Sequence, residues 1–116
     1  MLTLAQVESI LRRLPDLRIG LVGDLFLDRY LEIDRACDEP SVETGLTAYQ
    51  VARVRNSPGA LGTVLNNLAA LGAGHLVPVS VIGDDGHGYD LLRAVETLGA
   101  STEHLVRSAE RMTPTY

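Results

Sequence analysis

Two aspartates, Asp24 and Asp28, stand in Val22-Gly23-Asp24-Leu25-Phe26-Leu27-Asp28-Arg29-Tyr30, directly after a short apolar run. An ionised carboxylate only accepts hydrogen bonds, through two oxygens, and so suits a pair of neighbouring hydroxyls such as a carbohydrate presents. It repels phosphate, so these groups would face the uncharged part of a ligand. Loop capping and plain solvation are the competing reading, more so for Asp24. A second polar segment, Ser57-Pro58-Gly59-Ala60-Leu61-Gly62-Thr63, precedes a helical pattern. Open amides at a helix start, small residues at Gly59 and Ala60, and the Thr63 hydroxyl would make a docking edge. The same residues also suit an ordinary turn and cap. With so few glycines and no following lysine, this is neither a phosphate-binding Walker loop nor a complete dinucleotide fingerprint. Asn66 and Asn67 cost helix propensity, and one of them would pin a neighbouring loop.

Gly83-Asp84-Asp85-Gly86-His87-Gly88 has the look of a metal loop, but it lacks the further oxygen ligands and closing glutamate of a calcium hand. It reads better as a strand-to-helix turn capped by aspartate. His75, His87 and His104 share no ligand spacing, and Cys37 has no histidine near it in sequence. Phosphoryl transfer needs a base on the attacking hydroxyl and an electrostatic cradle for the moving charge. The chain supplies no credible set of both.

The elements that must position these residues alternate. Thr3 and Gln6 have capping-box spacing, and Val7, Ile10, Leu11 and Leu14 recur at helical intervals until Pro15. Leu17 to Gly23 reads as a strand buried on both faces. Residues 30–35 and 49–55 alternate apolar and polar, the mark of sheet with one wet face. Between them lies a polar loop with Pro40 and Gly45, so the two strands form a flap inserted after the first core strand. Asn56-Ser57-Pro58-Gly59 reads as a breaker. A helical stripe at Leu61, Val64, Leu65, Leu68 and Leu71 stops at Gly72 and Gly74. A strand over residues 75–82, a helix from about Gly88 to Leu98, a strand from Glu103 to Arg107 and an extended tail from Arg111 complete the order. Strand, helix, strand, helix, strand defines an α/β fold. Its long parallel edges need pairing or cover, and the tail stops inside an extended segment, so a fragment of a larger domain is expected.

The 116 residues carry 46% hydrophobic and 22% charged residues, a balance that folds rather than one that stays disordered. Arginine supplies every basic side chain, and these are scattered along a chain of net charge -5, which disfavours nucleic-acid binding. One thiol fits a reducing compartment. No apolar run is long enough for a membrane span, and the start lacks the basic region of a signal peptide. A cytoplasmic protein without membrane contact is expected.

Taken in order from about residue 17, these pieces resemble the N-terminal part of a ribokinase-like (PfkB family) carbohydrate kinase. The matching segments are Gly23 to Tyr30, Ser57 to Gly72, Val81 to Gly88 and Arg111 to Thr115. The opening Gly23-Asp24-Leu25-Phe26-Leu27-Asp28-Arg29-Tyr30 looks most like bacterial members acting on heptose phosphate. The resemblance implies a three-layer α/β/α core with a small β lid, the lid strands lying within about 30–56 of a 1–116 N-terminal segment. It implies ATP-dependent phosphorylation of a sugar or sugar phosphate hydroxyl by the full-length protein, with ATP and Mg²⁺. Asp28 matches the family aspartate that holds sugar hydroxyls, Gly59 the first glycine of the sugar-side turn, and Asp24 an acidic position of less certain role. Ala60 stands where the family commonly has a second glycine, and Thr63 where it has a sugar-contacting asparagine, which puts the identity of the sugar in doubt. The catalytic aspartate and the anion-binding glycine turn are expected downstream, so the chain alone should be inactive. A homodimer through the lid strands is implied as a partner contact. The alternative is a non-catalytic sugar-binding or dimerisation module. A nucleotide-binding oxidoreductase is the poorer third, for want of the glycine fingerprint.

Overall fold

The computed structural model describes residues 1–116. Helix α1 (Leu4–Arg13) opens on the capping box: the Thr3 hydroxyl accepts from the Gln6 amide while the Gln6 side chain accepts from the Thr3 amide. Strand β1 (Arg18–Val22) follows a short 3₁₀ turn containing Pro15. Two long strands, β2 (Leu25–Ile33) and β5 (Val51–Ala60), flank a tip made of the short strands β3 (Glu39–Pro40) and β4 (Thr47–Ala48). Then come α2 (Leu61–Ala70), β6 (His75–Gly83), α3 (Gly86–Thr97) and β7 (Leu105–Ser108).

Strands β1, β6 and β7 form a parallel sheet in that order. The order runs in one direction, and parallel crossovers are right-handed, so α2 and α3 both fall on the same face. Leu21, Leu76, Ile82 and Leu105 point into that face and meet Leu65 of α2 and Leu91 and Val95 of α3 in one core. The other face carries Val22, Val79, Val81 and Val106, all exposed. Two-sided burial, expected for residues 17–23, is therefore not what these residues achieve: consecutive crossovers of one hand cover one side. The apolar stripe of α1 is likewise uncovered, with Ile10 51% exposed. Its helical period was legible, but no partner for it lies in the chain.

The antiparallel β2–β5 ladder pairs Leu25 with Ala60, Phe26 with Gly59, Asp28 with Ser57 and Tyr30 with Arg55. It runs well beyond the expected strands at 30–35 and 49–55, and Asn56-Ser57-Pro58-Gly59 is strand rather than breaker. The reason is the hydrogen-bond register. The amide of Leu27 donates outward to the carbonyl of Pro114, and the carbonyl of Leu27 accepts from the Tyr116 amide. Leu27 therefore makes no ladder bond to its partner Pro58, and the missing N–H of Pro58 costs nothing. The chain turns instead at Ala60, whose φ of 51° and ψ of -110° lie in a region that glycine favours. The ladder projects from the core: the radius of gyration is 19.1 Å, against about 13 Å for a compact chain of this length.

Candidate functional site

Strand alternation decides which side chains meet. On one face of the ladder lie Phe26, Asp28 and Tyr30, with Gly59, Ser57 and Arg55 opposite them. Asp28 is half-buried, and its carboxylate has no hydrogen-bond or ion-pair partner in the chain, so both oxygens are open to hydroxyl donors. Gly59 is buried beside it, and the Phe26 ring occupies the space that a Cβ on Gly59 would need. Close packing of that ring therefore accounts for a glycine here without any ligand. Tyr116 meets Phe26 edge to face with centroids 4.9 Å apart, so the two rings form an apolar wall on the Asp28 side. Farther out, Arg55 lies over the Tyr30 ring at 4.3 Å and pairs with Glu32 at 3.3 Å.

Of the five candidate residues, Asp28 and Gly59 share this face. Ala60 is the N-cap of α2, and Thr63 stands exposed in the first turn of that helix. No side chain caps the helix, and the Leu61 amide donates to the Asp24 carbonyl at 3.0 Å, which ties the two chain crossings together. The Asp24 side chain is 87% exposed and reaches Arg111 only at 4.0 Å, a contact of little energetic weight. With Val22, Gly23, Val79, Val81 and Arg111 it lines an open cleft of about 360 Å³ that runs from the carboxyl end of β1 across the middle of β6. Asp28, Gly59, Ala60 and Thr63 do not line that cleft. Asn66 and Asn67 are both exposed and pin no loop through their side chains.

Around Gly83–Gly88 the expected aspartate cap is present and does more than cap. One oxygen of Asp85 accepts from the Gly88 amide at 2.7 Å, and the other from the Thr113 amide at 2.8 Å. These two backbone donors, Thr113 first, hold the Asp85 carboxyl below its ordinary value of 3.8, with the nearby His87 acting in the same direction. The Thr113 hydroxyl accepts from the Gly83 amide at 2.9 Å. The turn is thus a knot joining β6, α3 and the C-terminal segment.

Sequence reasoning missed Arg29. On the face of β2 opposite Asp28, its Nη1 donates to Asp90 Oδ2 at 3.0 Å and lies 3.3 Å from His87 Nδ1, both on α3. Only the alternation Phe26, Asp28, Tyr30 hinted that Arg29 would turn toward the core. Cys37 is exposed beside Asp34 on the tip.

A parallel α/β sheet with helices on one face and a projecting antiparallel ladder after its first strand is the ribokinase-like arrangement. Fructokinase from Xylella fastidiosa superimposes with a TM-score of 0.58 at 22% identity, covering 84% of this chain and 27% of that one. A PfkB protein from Polaromonas sp. JS666 gives 0.56 at 21% identity, covering 85% of this chain and 30% of that one. In sequence, the bifunctional protein HldE of Citrifermentans bemidjiense is 44% identical over 108 residues, 93% of this chain and 22% of the relative. HldE of Pelobacter propionicus is 36% identical over 109 residues, 92% of this chain and 21% of the relative. No family model matches the sequence. The chain carries the ribokinase-like fold and is similar in sequence to the HldE proteins. It spans about a fifth of the length of the HldE relatives it matches.

Proposed function

We propose that this chain is the sugar-binding side of an ATP-dependent kinase that phosphorylates a hydroxyl of a sugar or sugar phosphate, residues 1–116 forming the N-terminal part of the kinase domain. The observation that carries the reading is the Asp28 carboxylate: half-buried, unpartnered, and next outward from the Phe26–Tyr116 wall on the same ladder face, with Ser57 opposite it. In this reading Asp28 accepts hydrogen bonds from two sugar hydroxyls and fixes the acceptor. The Gly62 and Thr63 amides in the first turn of α2 and the Thr63 hydroxyl supply donors at its edge, the Leu61 amide being taken by the Asp24 carbonyl, while Gly59 gives the Phe26 ring room against β5. Asp24 has the weaker claim, as its carboxylate is solvated and faces a different cleft. Fixing the acceptor hydroxyl removes much of the entropic barrier to transfer, which is the contribution this half of the site would make.

The base that takes the hydroxyl proton, the anion-binding turn and the ATP contacts belong, on this proposal, to residues beyond these. Magnesium serves ATP chemistry by neutralising phosphate charge. The residues here do not fit it: no group of three or more His, Cys, Asp or Glu side chains is placed to hold a metal ion. No helix is long and apolar enough to cross a membrane, and a cytoplasmic kinase is proposed. The outer half of the ladder exposes Leu31, Ile33, Val51 and Val54, a surface that suits homodimer contact through the ladder.

The test is ADP release by the whole kinase against a panel of sugars and sugar phosphates, with Asp28→Ala and the 116-residue chain beside it. Sugar-dependent turnover by the whole kinase, a loss of about a hundredfold or more in kcat/KM for Asp28→Ala, and no turnover by the chain alone are expected. Sugar saturation unchanged in Asp28→Ala, or turnover by the chain alone, would overturn the reading.

A further inference from the structure

The ladder has two halves. Toward its base Leu25 and Leu27 are completely buried against the core, while farther out Leu31 and Ile33 are 57% and 46% exposed. Arg29 sits at the boundary. Its side chain reaches α3 at two points one helical turn apart, His87 Nδ1 and Asp90 Oδ2. Its backbone amide donates to the Tyr116 carbonyl at 2.7 Å. Opposite it in the ladder stands Asn56, whose Oδ1 is buried without a hydrogen-bond partner. Beyond this seam no hydrogen bond or ion pair ties the ladder to the sheet or helices.

We infer that Arg29 is a positioning residue: its fork onto His87 and Asp90 sets the angle at which the ladder leaves the core, and so the place of the adjacent Asp28. The inference rests on the sugar-site reading of Asp28. Arg29 and Asp28 are consecutive residues on opposite faces of one strand, so a rotation of β2 about the seam moves the carboxylate directly. Both partners are about one-third exposed, with side-chain exposures of 31% and 32%, and such pairs add little to global stability. What the contact supplies is geometry. Both contacts are made by Nη1, whose two N–H groups are fixed in the guanidinium plane, whereas the three donors of a lysine ammonium rotate on a flexible stem.

Cys37, the only thiol, is exposed near the ladder tip and takes one spin label; Glu96→Cys, exposed on the last turn of α3, takes a second. Pulsed dipolar distances in the 116-residue chain should be narrowly distributed with Arg29 present, and broad in Arg29→Gln and Asp90→Asn. Arg29→Lys should restore the narrow distribution only in part, and the exchange Arg29→Asp with Asp90→Arg should restore it further. In the whole kinase, Arg29→Gln should raise the KM for sugar about tenfold to a hundredfold and leave the KM for ATP unchanged, a split that general unfolding would not produce. An unchanged distance distribution in Arg29→Gln overturns the inference. So does an unchanged sugar KM in Arg29→Gln where Asp28→Asn raises it, which leaves the sugar reading standing. If neither variant alters the sugar KM, both the inference and that reading fall.

Discussion

Ala60 is the only non-glycine residue with positive φ in the chain, at φ 51° and ψ -110°. A side chain in so sparsely populated a region costs about 1–3 kcal/mol. Ala60→Gly removes that strain and adds back about 0.5–1 kcal/mol of chain entropy gained by the unfolded state. Ala60 is exposed, so deleting its methyl group sacrifices little burial. The net expectation is a gain of about 1 kcal/mol, or about 4–8 °C in melting temperature for a domain near this size. Ala60→Val, which puts a β-branched side chain on the same backbone, should shift the midpoint the other way. Thermal and urea melts followed by circular dichroism read both. A Gly variant no more stable than the parent, or a Val variant equal to it, would refute the assignment of strain to this turn.

Gly59→Ala should destabilise the chain by about 1–3 kcal/mol, since the new methyl group falls on the Phe26 ring; pairing it with Phe26→Leu should recover part of the loss in a double-mutant cycle. The Asp85 carboxyl is held below 3.8 by its two backbone donors, so its stabilising effect is complete above that value and is lost as pH falls through the lowered folded value. Acid titration of the folded fraction should therefore show a transition below pH 3.8 that is weakened in Asp85→Asn, and an unchanged acid limb would contradict the knot at Thr113. Leu65→Ala should cost about 2–5 kcal/mol, because Leu65 is completely buried where α2 meets the sheet; a urea midpoint within error of the parent would contradict the core assignment.

Much of the fold was legible because its signals are local. Thr3 and Gln6 fix the start of α1, Gly72 and Gly99 stop α2 and α3 with positive φ, and apolar periods separate strand from helix. The ladder base reads as a breaker in sequence because Pro58 is tolerated by register, opposite Leu27, whose own backbone bonds go to residues 114–116, which no short window of sequence reveals. One-sided burial of the sheet likewise follows from topology, not from the apolar runs themselves. Asp28 stood out by its place after the first strand. The ring that rests on Gly59 and the fork from Arg29 to α3 depend on contacts made across long stretches of chain, and residue type alone carried no sign of them.

The most direct test of Asp28 as the sugar anchor is equilibrium binding by calorimetry, with the whole kinase titrated with a panel of pentoses, hexoses and sugar phosphates. Each charged hydrogen bond lost should cost about 1.5–3 kcal/mol, so Asp28→Asn, folded as judged by circular dichroism, should bind the best ligand at least about tenfold more weakly. Equal affinity in parent and variant, or no sugar bound by the parent, would contradict the account.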